Sequence, residues 1–211
     1  MEQRSPTRWR RRKEARPDEI LAAALESFAE RGFAATRLED VAARAGISKG
    51  TLYLYFKGKE DLFKALVREA VLPNIERVEA LSATFEGPSA QLLERLLFAI
   101  ASLLGSRAGA IPKLVIAEAG NFPELARFYL DEVIHRGLRL IGAILRRGIE
   151  RGEFRVVDVD HTVFCVIAPM LLAALWKNSL EAHAGAAPLD AQTLARAHLE
   201  VLLRGLAAGA R

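Results

Sequence analysis

Six neighbouring residues have the chemistry that holds a phosphate backbone: Ser48, Lys49, Gly50, Thr51, Tyr53 and Tyr55. Hydroxyls and an ammonium group donate to phosphate oxygens, a glycine lets the backbone come close, and tyrosine brings a flat ring with a polar tip. Catalytic and metal chemistry lack comparable patterns. Cys165 is the only cysteine, so no internal disulfide forms, and its apolar sequence surroundings read as buried, inert packing. His135, His161, His183 and His198 are scattered, without the paired spacing of a zinc site. Neither a glycine-rich phosphate loop nor a Gly-x-Ser-x-Gly turn occurs, so no metal, cofactor or catalytic residue is expected.

The elements that position this cluster follow from period and caps. Leu38, Val41, Ala42 and Ala45 recur at i, i+3, i+4 and i+7, one buried helical stripe. Gly46 stands just past that stripe, where a left-handed residue closes a helix and Ile47 folds back on the last turn. Ser48 is placed to cap the next helix, and Leu52 with Tyr55 or Phe56 supplies that helix's inner face. Two short helices across a glycine turn make a helix-turn-helix, which lays its second helix in the DNA major groove.

The stretch Gly50-Thr51-Leu52-Tyr53-Leu54-Tyr55-Phe56-Lys57-Gly58-Lys59-Glu60-Asp61-Leu62 resembles the signature of the TetR family of bacterial transcriptional regulators. Phe28-Ala29-Glu30-Arg31-Gly32-Phe33, Thr36 and Asp40-Val41-Ala42 extend the resemblance upstream. It implies an all-α fold, in which an N-terminal three-helix DNA-binding domain precedes a C-terminal helical domain. That second domain would hold a small-molecule pocket and pair with another subunit through its last two helices. By the same resemblance Lys59, at a helix N-terminus, touches a phosphate. The chain departs from the family after Thr36, where a second Thr or Ser is common and Arg37 stands instead. Thr36 and Glu39 are then expected to form a capping box, with Thr36 and Arg37 among the DNA contacts.

Composition agrees with this reading. The 211 residues are 51% apolar and 27% charged, ordinary for a globular chain with a sizeable core in one or two domains. Residues 1–60 carry 13 Lys/Arg against 9 Asp/Glu, while residues 61–211 carry 17 of each. The excess positive charge therefore lies in the part of the sequence that includes the helix-turn-helix, where phosphate binding needs it.

Three regions follow. Residues 1–16, with Arg8-Trp9-Arg10-Arg11-Arg12-Lys13, read as a flexible basic arm able to lie along phosphates or enter the minor groove. No signal-length apolar run follows the arginines, and a cytoplasmic protein is expected. Residues 17–62 form the helix-turn-helix domain. Pro17-Asp18-Glu19 opens its first helix, whose Ile20, Leu21, Ala24, Leu25 and Phe28 stripe covers the two short helices before Gly32 ends it.

Residues 63–211 form the helical ligand-binding and dimerisation domain. Pro73 predicts a kink near Val71 and Leu72. Helices are expected over 91–104 and 112–119, then from an Asn121-Phe122-Pro123-Glu124 cap to about residue 151, where Gly152 ends the helix. An apolar helix capped by Asp158 or Asp160 and a last helix capped by Asp190 complete the domain. No apolar run of about 18 residues, enough to span a membrane, is found. Phe98, Ile116, Phe128, Phe164, Met170 and Trp176 are candidate pocket linings, with Asp131, His135 and Arg136 as polar anchors. Ala173, Ala174, Ala197 and Gly205 allow close approach of a second subunit.

The expected function is a homodimeric repressor on a palindromic double-stranded DNA operator, released when a small, largely apolar effector binds the C-terminal domain. The alternatives are an architectural DNA-binding protein without a ligand and an all-helical enzyme.

Overall fold

The computed structural model describes residues 16–185 and 187–208. The basic arm read over residues 1–16 lies outside the described residues, apart from the backbone of Arg16. Eleven α-helices follow in chain order among the described residues. They are α1 Arg16–Ala35, α2 Leu38–Arg44, α3 Lys49–Tyr55, α4 Lys59–Ala70, α5 Leu72–Thr84, α6 Ser89–Gly105, α7 Ile111–Glu118, α8 Pro123–Tyr129, α9 His135–Glu150, α10 Val159–Ser179 and α11 Ala191–Leu206. Two 3-10 turns, Arg107–Ala110 and Glu181–His183, flank α7 and α10, and a π-turn, Leu130–Ile134, joins α8 to α9. Among the described residues no sheet forms beyond an isolated antiparallel bridge between Phe154 and Ala207. The fold is all-α, and it divides into two compact units between Val67 and Arg68, inside α4.

The N-terminal unit is built on the stripe of α1. Ile20, Leu21, Ala24, Leu25 and Phe28 are all buried. The rings of Phe28, Phe33 and Phe63 meet at centroid distances of 5.3, 6.0 and 5.7 Å, tilted or edge-on, as aromatic quadrupoles favour. Gly32 interrupts α1 with φ of 80°, a backbone only glycine adopts without strain. Val41, Ala42, Leu52, Leu62, Leu66 and Val67 complete the core. Of the two candidates for the inner face of α3, Phe56 is buried and Tyr55 is exposed.

In the C-terminal unit, Pro73 falls in the first turn of α5, where its missing N–H disturbs nothing, and the helix breaks at Val71 as predicted. Leu92 and Leu97 of α6, Ile141 and Leu145 of α9, Met170 of α10 and Leu199 of α11 share one core. A Cβ on Gly148 would come within 2.1 Å of the Phe154 ring, so the turn after α9 folds back over a glycine. Asp158 caps α10 by accepting the His161 N–H at 3.2 Å, and Asp190 caps α11 by accepting that of Thr193 at 2.8 Å.

Several expectations for this unit are corrected. No side chain caps α8: Phe122 occupies the cap, and the Asn121 amide turns to the Glu118 carboxylate at 3.3 Å. The long third helix is interrupted by the π-turn. Cys165 is exposed rather than packed inside. Finally, α10 is 21 residues long and apolar enough to cross a bilayer by length and composition. Val163, Val166, Met170 and Ala174 face the core, while Phe164, Leu172 and Trp176 are exposed, so this helix is apolar on two sides.

Candidate nucleic-acid interface

The turn between α2 and α3 is made by backbone bonds that the glycine permits. Gly46 has φ of 65°, its N–H donates to the Ala43 carbonyl at 3.1 Å, and the Ile47 N–H donates to the Ala42 carbonyl at 3.0 Å. This pair of bonds satisfies the last carbonyls of α2 and reverses the chain. Ser48 then caps α3: its Oγ accepts the Thr51 N–H at 3.1 Å and lies 2.9 Å from the Thr51 hydroxyl. Two hydroxyls are thereby fixed together at the start of the helix.

Leu52 is the buried anchor of α3, and Lys49, Gly50, Tyr53, Leu54 and Tyr55 are exposed around it. Lys49 Nζ stands 5.8 Å from the Tyr53 ring centroid, within cation–π range. Leu54 is 84% exposed, the most exposed large apolar side chain described. It was not among the expected site residues. The available signal was an apolar residue off the buried stripe of a helix that faces a ligand.

Thr36 and Lys59 are engaged internally, whereas the Arg37 side chain is exposed. Thr36 is 2% exposed, and its hydroxyl lies 2.7 Å from the Gly32 carbonyl and 3.1 Å from that of Ser27. It therefore tethers the end of α1 and is not open to DNA. Arg37 occupies the cap of α2 without a side-chain capping bond, so the Thr36–Glu39 capping box does not form; the Arg37 side chain is exposed. Lys59 donates to the carbonyls of Phe33 at 2.6 Å, Ala34 at 2.8 Å and Thr36 at 3.2 Å, and its ammonium sits 4.7 Å from the Phe33 ring centroid. An ammonium has three donors, and all three are engaged. Lys59 is a clamp on the end of α1 rather than a waiting phosphate ligand.

Ion pairs link α1 to the first helix of the helix-turn-helix. Arg31 pairs with Asp40 at 2.7 Å, and Arg44 forks onto Glu30, which lowers the Glu30 carboxyl and raises Arg44 through their hydrogen bonds. Across the motif itself, Lys49 pairs with Glu39; that hydrogen bond holds the Glu39 carboxyl below its ordinary range and Lys49 above its own.

Of the six candidate pocket residues, two lie in or against the core of the C-terminal unit, one is half-buried and three are exposed. Met170 is fully buried in the core, and Phe98 is partly buried against it under the Arg196 guanidinium at 5.9 Å. Phe128 is half-buried with the Arg68 guanidinium 5.1 Å from its ring. Ile116, Phe164 and Trp176 are exposed. Of the polar anchors, Arg136 is bound to Glu79 through two nitrogens at 3.2 and 2.6 Å, and His135 pairs with Asp131 at 3.3 Å. Sequence reasoning passed over Tyr129, buried before the π-turn, where burial pushes its phenol up. A shallow concavity of about 440 Å³ lies in the N-terminal unit, lined by Glu19, Ala22, Ala23, Glu26 and Arg44 to Gly46, and none of the six borders it. Among the described residues no group of three or more His, Cys, Asp or Glu could hold a metal ion.

A capped second helix with one buried anchor and an exposed polar and aromatic face defines a DNA-reading helix-turn-helix. Residues 20–66 match the family described as bacterial regulatory proteins, tetR family, and residues 86–197 match the tetracyclin repressor-like C-terminal domain. The chain belongs to the TetR family and is a DNA-binding transcriptional regulator. It is 34% identical over 149 residues to the fatty acid metabolism regulator protein of Bacillus subtilis, covering 68% of this chain and 74% of that one. The crystal structure of FadR from Bacillus subtilis in complex with stearoyl-CoA superposes with a TM-score of 0.69 at 26% identity, covering 90% of this chain and 98% of the other. The ketosteroid transcriptional regulator KstR2 of Mycobacterium tuberculosis gives a TM-score of 0.74 at 27% identity, covering 91% and 95%.

Proposed function

We propose that this chain is a cytoplasmic, homodimeric repressor that leaves its operator when a long-chain acyl-CoA binds the C-terminal unit. The observation that carries the DNA half is the exposed face of α3, held on Leu52 alone. On that face Ser48, Thr51 and the Gly50 backbone suit phosphates, as do Lys49 and the exposed Arg37. Tyr53, Tyr55 and Leu54 are placed for base edges, where an apolar side chain meets the thymine methyl group.

The dimer is supported by the second apolar side of α10. Phe164, Leu172 and Trp176 recur at helical spacing there, and on α11 Val201 is 71% exposed between the exposed Ala197 and Gly205. A second copy covering these faces would bury them and present two α3 helices to a palindromic site. The effector class is supported by the relative solved with stearoyl-CoA, 98% of whose chain the superposition covers. Such a ligand weakens DNA binding only as far as it prefers the conformation whose two α3 helices are wrongly spaced.

The test is a fluorescence-anisotropy titration at fixed salt against the intergenic DNA beside the protein's own gene, with random DNA of equal length as control. Selective binding at two chains per site, reversed by stearoyl-CoA and not by free CoA, is the expected result. Equal affinity for both DNAs with a steep salt dependence would favour the architectural reading instead.

A further inference from the structure

The folded helix-turn-helix is short of available positive charge. Residues 1–16 hold seven Lys/Arg against two Asp/Glu, whereas residues 17–62 hold six against eight. Several of those six are already engaged: Arg31 with Asp40, Arg44 with Glu30 and Glu26, and Lys59 with three carbonyls. Lys49, the first residue of α3, is engaged as well, by Glu39 of α2. The Lys49 and Glu39 side chains are 57% and 50% exposed, and Lys49 Nζ lies 5.8 Å from the Tyr53 ring centroid. An acidic group thus stands on the surface that DNA would approach.

We infer that Glu39 is a specificity-determining residue: it holds Lys49 as an intramolecular stand-in for phosphate and so keeps affinity for non-operator DNA low. The inference rests on the reading that α3 grips DNA through Lys49. A carboxylate and a phosphate are both anionic acceptors for the same ammonium. To bind a phosphate, Lys49 must leave Glu39, and Glu39 is then left unpaired near the phosphates; without base contacts to offset this, the pair stays closed. Where Tyr53, Leu54 and Tyr55 find their bases, those contacts offset this loss. On random sequence nothing offsets it, because the phosphate contribution is the only one available. The pair is exposed, so its effect is modest per site and doubled in a dimer.

The experiment measures Glu39→Gln, Lys49→Gln and the double variant on operator and random DNA across a salt series. For Glu39→Gln we expect random DNA to bind about three- to tenfold tighter, which narrows the ratio of operator to random affinity. Its salt slope should steepen by about 0.9 per released lysine, close to two per dimer. In the double variant the gain should vanish, because no lysine remains to be released. Unchanged random-DNA affinity for Glu39→Gln overturns the inference. So does a gain that survives in the double variant, since that would be plain removal of a negative charge. Lys49→Gln keeps the two failures apart: if it weakens binding to neither DNA, the reading of Lys49 as a phosphate ligand is what fails.

Discussion

The two units treat their surfaces in opposite ways. In the N-terminal unit, groups that look available are committed internally: Thr36 to two carbonyls, Lys59 to three, and Lys49 to Glu39. In the C-terminal unit, apolar groups that look like core are left outside, with Phe164, Leu172 and Val201 all exposed. The difference is one of range. A polar group within a small motif finds a partner a few residues or one helix away, because an unmet donor or acceptor is costly. A 21-residue helix that is apolar on two sides offers more surface than its own chain covers: Phe164, Leu172 and Trp176 stay exposed.

Four substitutions sharpen or break that contrast. The largest effect is expected for Leu172→Asp, which puts a charge on the uncovered side of α10. If a second copy covers it, the variant should sediment as a monomer and lose operator affinity by roughly two orders of magnitude, as expected when two linked contacts become one. Its helical circular dichroism should be unchanged, and a variant that remains dimeric would remove α10 from the interface. Next is Lys59→Gln, which releases three carbonyls at the end of α1. Hydrogen bonds to charged groups contribute about 1.5–3 kcal/mol, and a urea midpoint should drop accordingly. The salt slope of DNA binding should stay constant; a slope reduced by about one per chain would return Lys59 to the phosphates.

Gly46→Ala is expected to cost about 1–2 kcal/mol, the strain of a left-handed residue carrying a Cβ. Nothing lies within 4 Å of the position a Cβ would take, so a thermal melt isolates the backbone cost from any clash. The smallest effect concerns Asp190, whose carboxyl the Thr193 side chain and N–H hold below the ordinary 3.8. With the folded value depressed, its contribution is complete above pH 3.8 and fades as pH falls through the lowered value. The urea midpoints of the parent protein and Asp190→Asn should therefore differ at pH 6 and converge in strong acid.

Much of this was legible in the residues. Gly32, Gly46 and Gly152, the Ser48, Asp158 and Asp190 caps, the α1 stripe and the Pro73 break are each settled by neighbours within about one turn. The motif from Gly50 to Leu62 located the recognition helix for the same reason. The burial of the candidate pocket residues was not legible. Aromatic residues at helical spacing say that a face is apolar, and Phe164, Met170 and Trp176 share one helix yet lie on different sides of it.

What local order could establish was the succession of helices, their ends and the identity of the DNA-reading turn. Which partner each group chose came from the packed chain. Lys59 reaches carbonyls 23 to 26 residues earlier in the sequence, Glu39 reaches Lys49 across the turn, and Thr36 turns inward to α1. Period assigns residues to a face, and caps assign them to an end. Neither says whether another element lies opposite, and that depends on where helices distant in sequence come to rest against each other.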